Sequence, residues 1–351
     1  MNLVKKALKA LLYAAAVIAA ILVIIIVYAE ISDYRPKEKM LISATESVGQ
    51  LSDSATLSLL TWNIGYCGLD KNMDFFYDGG TKVRTPKMQL LKNLSAVMAV
   101  LKGNDSIDFT LLQEVDRKSK RSYNMDEHGM ITAHIKFASE SFATNYKVFF
   151  VPVPLSSPMG KVYSGISTLG RYVPSSVIRY SFPGKYGFPK QLFMLDRCFM
   201  VSRYPLKSGK ELVIINTHNE AFDPGQIRKA QMEYLKEFLL QEYSKGNYII
   251  AGGDWNQCPP GFKPEFAANK VNTEQMVIPE DYLPAEWKWA YDNHTPSNRS
   301  VIAAYNPETT TTTVIDFFLV SPNIRVISTE CIDFGFENSD HNPVRIKIQL
   351  Q

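Results

Sequence analysis

Residues 248–256 read YIIAGGDWN. Tyr248–Ala251 is an apolar run too short for a helix and fits a buried strand. Gly252 and Gly253 interrupt it and deliver Asp254, Trp255 and Asn256 at its end. Just upstream, Asp223-Pro224 opens a helix in which Ile227, Ala230, Tyr234, Leu235 and Phe238 share one face and which Gly246 closes. Before that helix, Leu212–Ile215 forms another apolar strand and ends in Asn216, Thr217, His218 and Asn219. Strand and helix thus alternate, and each strand hands polar residues to its rim.

The same pattern recurs outward. Leu57–Trp62 leads to Asn63, and Asp108–Leu112 leads to Gln113 and Glu114. Between them Thr85-Pro86 starts a helix, Leu90, Leu94, Val97, Met98 and Leu101 give its buried face, and Gly103 ends it. A further helix is expected over 131–143, and strands over Tyr146–Val153, Val162–Thr168 and Met194–Ser202. Val314–Val320 carries Asp316. Asn338-Ser339-Asp340-His341-Asn342 precedes a last strand, Pro343–Leu350. No repeat of 20–50 residues is present. The mixture predicts an α/β sandwich filling residues 57–351 as one domain.

The first thirty residues are different in kind. Residues 11–29, LLYAAAVIAAILVIIIVYA, carry no charge, and about 20 apolar residues in a helix cross a hydrocarbon layer of ~30 Å. Lys5, Lys6 and Lys9 precede the run and Glu30 follows it. Lysines on that flank keep the N-terminus cytoplasmic and put the rest of the chain outside. Residues 1–30 are therefore expected as a cytoplasmic tip and transmembrane signal-anchor, and 31–56 as a polar linker. The alternative is a secreted form cleaved near Ala29, since Val27 and Ala29 are small residues spaced as a signal peptidase accepts.

Composition narrows the function. The 351 residues carry 38 Lys+Arg and 35 Asp+Glu. Setting aside Lys5, Lys6, Lys9 and Glu30 leaves 35 basic and 34 acidic residues, a net of +1. No broad electropositive face follows, which disfavours duplex binding by bulk charge. Cys67, Cys198, Cys258 and Cys331 are far apart without a CxxC pair and read as small buried hydrophobes.

The rim residues define the chemistry. Carboxylates and amides at strand ends are hard oxygen ligands suited to Mg²⁺ or Mn²⁺ and poor for zinc. Histidines beside carboxylates suit proton transfer near neutral pH. No GxSxG elbow or Cys-His arrangement supplies a covalent nucleophile, so metal-assisted hydrolysis by water is expected.

Seven ordered blocks, TWNIGY, LLQEVD, GISTLGRY, INTHNE, GGDWNQ, IDFFLVS and SDHNPV, resemble the endonuclease/exonuclease/phosphatase superfamily in sequence and spacing over residues 57–351. The resemblance implies a four-layer α/β sandwich, two packed mixed β-sheets flanked by helices, and phosphoester cleavage with Mg²⁺ (or Mn²⁺). It implies Asn63, Glu114 and Asp340 at the metal, with Glu114 a direct ligand. Asp254 and Asn256 match the pair that orients the attacking water and holds the phosphate. His341 matches the histidine beside the phosphate, with Asp316 as its orienting partner, and His218 the histidine that protonates the leaving oxygen. Either Asp254 or His341 is the base. Two departures stand out. Val314-Ile315 replaces the Arg that the family often has before the aspartate of the IDFFLVS block. Asn216-Thr217-His218 stands where the abasic-site nucleases carry a Tyr-x-Pro-Asn block, which argues against abasic-site activity.

Substrate contacts are expected from Asn216 and Asn219 beside His218, and from Arg117 and Arg121 in the basic run after Glu114. Residues 182–193, FPGKYGFPKQLF, are expected as a lipid-touching loop or a packed hairpin connection. Trp287 and Trp289 alternate with Lys288, as in a strand with one buried face. The expected substrate is a phospholipid head group, a small phosphoester or nucleic acid. The alternatives are an extracytoplasmic nuclease acting on DNA or RNA, or a catalytically weak binding module on the same scaffold.

Overall fold

The computed structural model describes residues 2–103, 106–223, 225–264, 266 and 276–351. In chain order the strands are β1 (Lys39–Ala44), β2 (Thr56–Asn63), β3 (Phe109–Asp116), β4 (Ser139–Val151), β5 (Gly160–Gly170), β6 (Ser176–Ser181), β7 (Cys198–Pro205), β8 (Glu211–His218), β9 (Tyr248–Asp254), β10 (Lys288–Ala290), β11 (Asn298–Arg299), β12 (Thr312–Thr313), β13 (Asp316–Val320), β14 (Ile324–Cys331) and β15 (Val344–Leu350). The helices are α1 (Asn2–Ser32), α2 (Lys87–Gly103), α3 (Glu127–His134) and α4 (Gln226–Ser244).

Two mixed sheets face each other. One runs β1-β6-β7-β8-β9-β13-β10 and the other β14-β15-β2-β3-β5-β4, with β11-β12 a separate ribbon. Leu57, Leu59, Phe109, Leu111, Leu212, Ile214, Ile250, Phe318 and Ile346 fill the space between the sheets. On the outer face of the six-stranded sheet, Leu60, Trp62 and Leu112 pack on Leu90, Leu94 and Val97 of α2 and Ile131 of α3. On the outer face of the seven-stranded sheet, Val213, Ile249 and Phe317 pack on Met232, Leu235 and Leu239 of α4. The four-layer α/β sandwich is thus the direct product of strands that are apolar on both faces. All four cysteines are buried free thiols.

Three local readings are corrected. Residues 39–44 lie in the segment expected as a linker, yet they form β1, an edge strand antiparallel to β6. Met40 and Ile42 turn inward and alternate with exposed neighbours, a period-two signal hidden by the polar flanks. The helix expected over 131–143 is α3, which starts earlier because the Asp126 carboxylate caps the Gly129 N–H, and β4 takes over at Ser139. Thr85 does not cap α2; its hydroxyl donates to Asp70 at 2.8 Å. Pro224, expected at the start of α4, lies outside the described residues.

Helix α1 is long and apolar enough to cross a membrane, and its apolar window is unburied by the rest of the chain. Only its last turns touch the sandwich. Ile25 and Ile26 are half-buried, Ala29 is buried, and the Tyr28 ring meets Phe149 of β4 edge-on at 4.5 Å.

Candidate active site

Strand register brings the rim residues together. Parallel pairing of β8 with β9 sets His218 opposite Asp254, and antiparallel pairing of β13 with β9 sets Asp316 opposite Asp254. On the facing sheet, Asn63 ends β2 opposite Gln113 of β3. The β3–β5 register slips between Leu112 and Val115, and Glu114 in the slip has φ of 51°. A bulge of this kind re-aims one side chain, here out of the core and toward the rim. Gly253 is required by close approach: a Cβ there would lie 2.0 Å from the Thr217 carbonyl oxygen. At Gly65, in the turn after Asn63, a Cβ would lie 2.8 Å from Asp340 Oδ1, so this glycine makes room for that carboxylate.

These side chains meet around a cavity of about 480 Å³, whose lining includes Glu114, Arg121, His218, Asp254, Asn256, Asp340 and His341. Asn63 bridges its base. The Nδ2 group donates to Asp254 Oδ2 at 2.9 Å and, longer, to Glu114 Oε1 at 3.4 Å, while Oδ1 accepts from the Gly65 N–H at 3.0 Å. The amide nitrogen of Asn63 therefore faces Glu114, and its oxygen is already engaged. Asn256 closes an Asx turn on Asp254 Oδ1 at 2.9 Å and donates from Nδ2 to the Asn219 carbonyl at 2.9 Å.

His341 is held on every side. Its Nδ1 lies 2.7 Å from Asp316 Oδ2, and its carbonyl accepts from Trp62 Nε1 at 2.9 Å. Ser297 fixes Asp316 in turn, donating to Oδ2 at 2.8 Å and accepting from the Asp316 N–H at 3.0 Å. A serine hydroxyl thus supports Asp316 beside Val314-Ile315, where an arginine was the family expectation. Burial opposes charge on the His341 ring, but Asp316 and Asp340 prevail and push it up to about 10. The Asn298 amide sits 3.0 Å from Nε2; its oxygen end suits the charged ring and its nitrogen end the neutral one. Three carboxylates around the ring favour the charge.

The other groups are shifted as strongly. Burial, then the Asp316 charge, raise Asp254 to about 6. Burial raises Asp340 to about 7, with Glu114 adding to the effect. His218 goes the other way, well below its ordinary range, because it is buried and faces the charges of Arg197 and His341. A carboxyl near 6 can accept a proton at neutral pH, and a charged imidazole can stabilise an anion.

The cavity carries donors for a divalent cation. Glu114 and Asp340 both face the cavity, and Glu114 hinders ionisation of Asp340. Two hard carboxylates in mutual repulsion fit an Mg²⁺- or Mn²⁺-type ion, which removes that repulsion. Asp254, Asp316 and His341 also lie within 4.8 Å of one another. However, Asp316 Oδ2 is taken by His341 and Ser297, and the residue is fully buried behind the ring. The 2.7 Å Nδ1–Oδ2 contact fits a histidine–carboxylate pair, while Asp316 Oδ1 is buried without a hydrogen-bond partner among the described residues.

Three expected substrate contacts do not reach the cavity. Asn216 is fully buried between the sheets, where Oδ1 accepts from Gln113 Nε2 at 2.8 Å and Nδ2 donates to the Ser167 carbonyl at 2.9 Å. Asn219 is buried against Thr217 and Met232 and supports Asn256 through its carbonyl. Arg117 turns outward into a two-point pair with Asp126, both contacts 3.0 Å. Asn216 lies on the same face of β8 as His218 but two residues deeper between the sheets, Asn219 turns to the α4 side, and Arg117 is drawn outward by Asp126. Arg121 does line the cavity, bound to Asp116 at 2.9 Å and stacked 3.7 Å from the Tyr66 ring centre.

Sequence reasoning missed Asn145, Arg197, Asn298 and Arg299, all of which line the cavity. Arg197 was absorbed into the strand expected over 194–202, but β7 begins at Cys198 and leaves it on the rim, next to the register partner of His218. Arg299 anchors the loop after β2 through the Asp70 carbonyl at 2.7 Å. No short motif marks either residue.

The profile of the Endonuclease/Exonuclease/phosphatase family matches residues 60–341, and the chain belongs to that family. Similar solved structures include an endonuclease/exonuclease/phosphatase from Beutenbergia cavernae DSM 12333, at 15% identity over 84% of this chain and 72% of that one, TM-score 0.55. ANGEL2, a 2',3'-cyclic phosphatase, in complex with adenosine-2',3'-vanadate, is similar at 14% identity over 88% and 99%, TM-score 0.54. A functionally unknown conserved protein from Enterococcus faecalis V583 is similar at 15% identity over 84% and 100%, TM-score 0.53. At these identities the likeness is one of fold. No curated protein sequence matches the chain.

Proposed function

We propose that the chain is a divalent-cation-dependent hydrolase of phosphoester bonds, tethered to a membrane by residues 1–30. The catalytic domain, 57–351 with the strand at 39–44, lies on the outer side. One observation carries the reading: in a chain of this family, Glu114, His218, Asp254, Asp340 and His341 converge on a single cavity. Glu114 and Asp340 would hold Mg²⁺ or Mn²⁺, with Asn63 fixing the Glu114 carboxylate. When bound, the ion neutralises phosphate charge and polarises the phosphoryl group.

The remaining steps belong to the chain's own side chains. Asp254, near 6 and oriented by Asn63 and the Asn256 N–H, accepts the proton as water attacks phosphorus. His341, charged and locked by Asp316, binds the phosphoryl oxygens with Asn256. As the P–O bond to the leaving group breaks, His218 returns a proton to the departing oxygen. It takes that proton up once an anionic phosphate enters the cavity and offsets the Arg197 and His341 charges. The phosphoester chemistry of ANGEL2, a 2',3'-cyclic phosphatase, supports this substrate class. Lys5, Lys6 and Lys9 before an uncharged run support the cytoplasmic N-terminus.

The test is a panel of phosphomonoesters, phosphodiesters, DNA, RNA and phospholipids, each with Mg²⁺, Mn²⁺ or chelator. Turnover of at least one phosphoester, abolished by chelator and restored by Mg²⁺ or Mn²⁺, is expected. Absence of turnover across the panel, or turnover indifferent to chelator, overturns the reading. Protease added to intact cells should digest the domain and spare the N-terminus. A soluble form beginning near Glu30 would overturn the tether.

A further inference from the structure

The last turns of α1 overlap the sandwich. Residues 25–29 belong to the uncharged run, yet Ile25, Ile26 and Ala29 pack on the domain and Tyr28 abuts Phe149. Five helical residues span about 7 Å, so the surface that packs against them lies at the depth of the bilayer interface. That surface consists of the end of β4 and the 3₁₀ turn Lys190–Phe193, both in contact with α1. The loops leaving these two elements expose large apolar side chains to solvent. Leu155, four residues beyond β4, is 87% exposed, and Phe188, two residues before the turn, is 63% exposed. Val153 is exposed beside Leu155, and Lys185 and Lys190 are exposed beside Phe188. Exposed apolar tips, one of them flanked by lysines, are the composition of a surface that enters the headgroup layer.

The same loops reach the active-site cavity. A small cavity is lined by Asp33 and Pro36, just beyond α1, together with Lys185, Met194, Leu195 and Arg197. Met194, Leu195 and Arg197 also line the active-site cavity, as does Met159 from the loop after β4. Helix exit and active site therefore share one wall.

Resting on the reading of α1 as a membrane span, we infer that residues 152–159 and 183–190 form a second, non-spanning membrane contact. Leu155 and Phe188 dip into the acyl boundary of the bilayer from which α1 emerges. The catalytic cavity is held at the headgroup layer, so a bilayer-held phosphoester reaches it without leaving the membrane.

Tryptophan quenching in lipid nanodiscs tests this on the full chain. Native Trp62, Trp255 and Trp287 are buried and Trp289 half-buried, which gives a constant background. Single substitutions Ile18→Trp, Leu155→Trp, Phe188→Trp and Ile327→Trp are compared in phosphatidylcholine/phosphatidylglycerol discs with bromines at shallow or deep acyl positions. Ile327 is 45% exposed on β14, at the edge of the six-stranded sheet opposite β4. The expected result is loss of the added emission at 155 and 188 with the shallow bromines above all. At 18 the deep bromines quench more, and at 327 neither does. Quenching at 18 without quenching at 155 and 188 overturns the docking surface alone. No quenching at 18 overturns the membrane span itself. Unchanged circular dichroism verifies that each variant is folded.

Discussion

His341 and His218 occupy the same cavity and approach the same oxygen. The Nε2 of His218 is 3.5 Å from Asp254 Oδ2 and that of His341 is 3.9 Å from it. Their other nitrogens differ. His341 Nδ1 meets Asp316 at 2.7 Å, whereas His218 Nδ1 is buried without a hydrogen-bond partner among the described residues. One ring is consequently raised to about 10 and the other is held well below its ordinary range. Both rings are buried, so the groups around each ring decide whether it carries charge: a carboxylate on Nδ1 for His341, cations facing His218. A single carboxylate thus sits between a positive imidazole and a neutral one.

The largest effects should come from the centre of this pair. Asp254→Asn and His341→Ala are each expected to lower turnover by about 10²–10⁴-fold, measured on whichever substrate the panel identifies, with thermal stability monitored alongside. Near-normal turnover in either variant removes that residue from the chemistry. Glu114→Gln keeps the size but loses the charge that holds a hard cation. Turnover at limiting Mg²⁺ should fall sharply and recover in part at high Mg²⁺. Full turnover with unaltered Mg²⁺ dependence would take Glu114 out of the cation site.

The next effect separates orientation from chemistry. Asp316 is fully buried and does not line the cavity, but it touches the His341 ring, so its expected role is to position that ring. Asp316→Asn is expected to cost about 10–100-fold and to lower the His341 titration seen by NMR. Loss of activity with an unmoved His341 titration would mean that Asp316 is merely structural.

How much of this was legible in sequence follows from the geometry. The blocks around Asn63, Glu114, His218 and Asp254 were readable because each is a short apolar strand ending in chemistry-bearing residues, and those around Asp316 and His341 because the polar residues stand at or just before the start of one. Their convergence is a matter of register, and register is what packing two-faced strands into two sheets fixes. Asn216 and Asn219 were read as facing the cavity because sequence shows neither how deep Asn216 sits behind His218 on the same face of β8 nor that Asn219, past the strand's end, turns toward α4. Arg197 and Asn145 went unnoticed because their role depends on which strands lie across the cavity, not on neighbours in the chain. The strand at 39–44 was lost among its polar flanks, since only Met40 and Ile42 of it are half-buried and give a short period-two signal.

The smallest effect is on stability, and there the two histidines should pull in opposite directions. His341 binds its proton more tightly folded, at about 10 against an ordinary 6.5. Its stabilising contribution is fully present below about pH 6.5 and is lost as pH rises through about 10. His218 binds its proton less tightly folded than its ordinary 6.5. Its contribution is full above about pH 6.5 and is lost as pH falls below that value, because the unfolded ring then takes up a proton that the folded ring refuses. Replacing His218 by a neutral, non-titrating side chain should therefore flatten the acid limb of the unfolding profile and leave the alkaline limb alone. Asp316→Asn should do the reverse, flattening the alkaline limb by releasing His341. The expected size is several degrees, since each kcal/mol moves the midpoint by ~2–4 °C in a domain of 150–250 residues and less in a larger one. Thermal unfolding of the full chain in nanodiscs, followed from about pH 5 to pH 10 across this titration range for wild type, His218→Gln and Asp316→Asn, measures it. An acid limb as steep in His218→Gln as in wild type would mean that the ring is already charged in the folded protein. The contrast between the two histidines would then collapse, and His218 would carry its proton to the leaving oxygen without waiting for the phosphate.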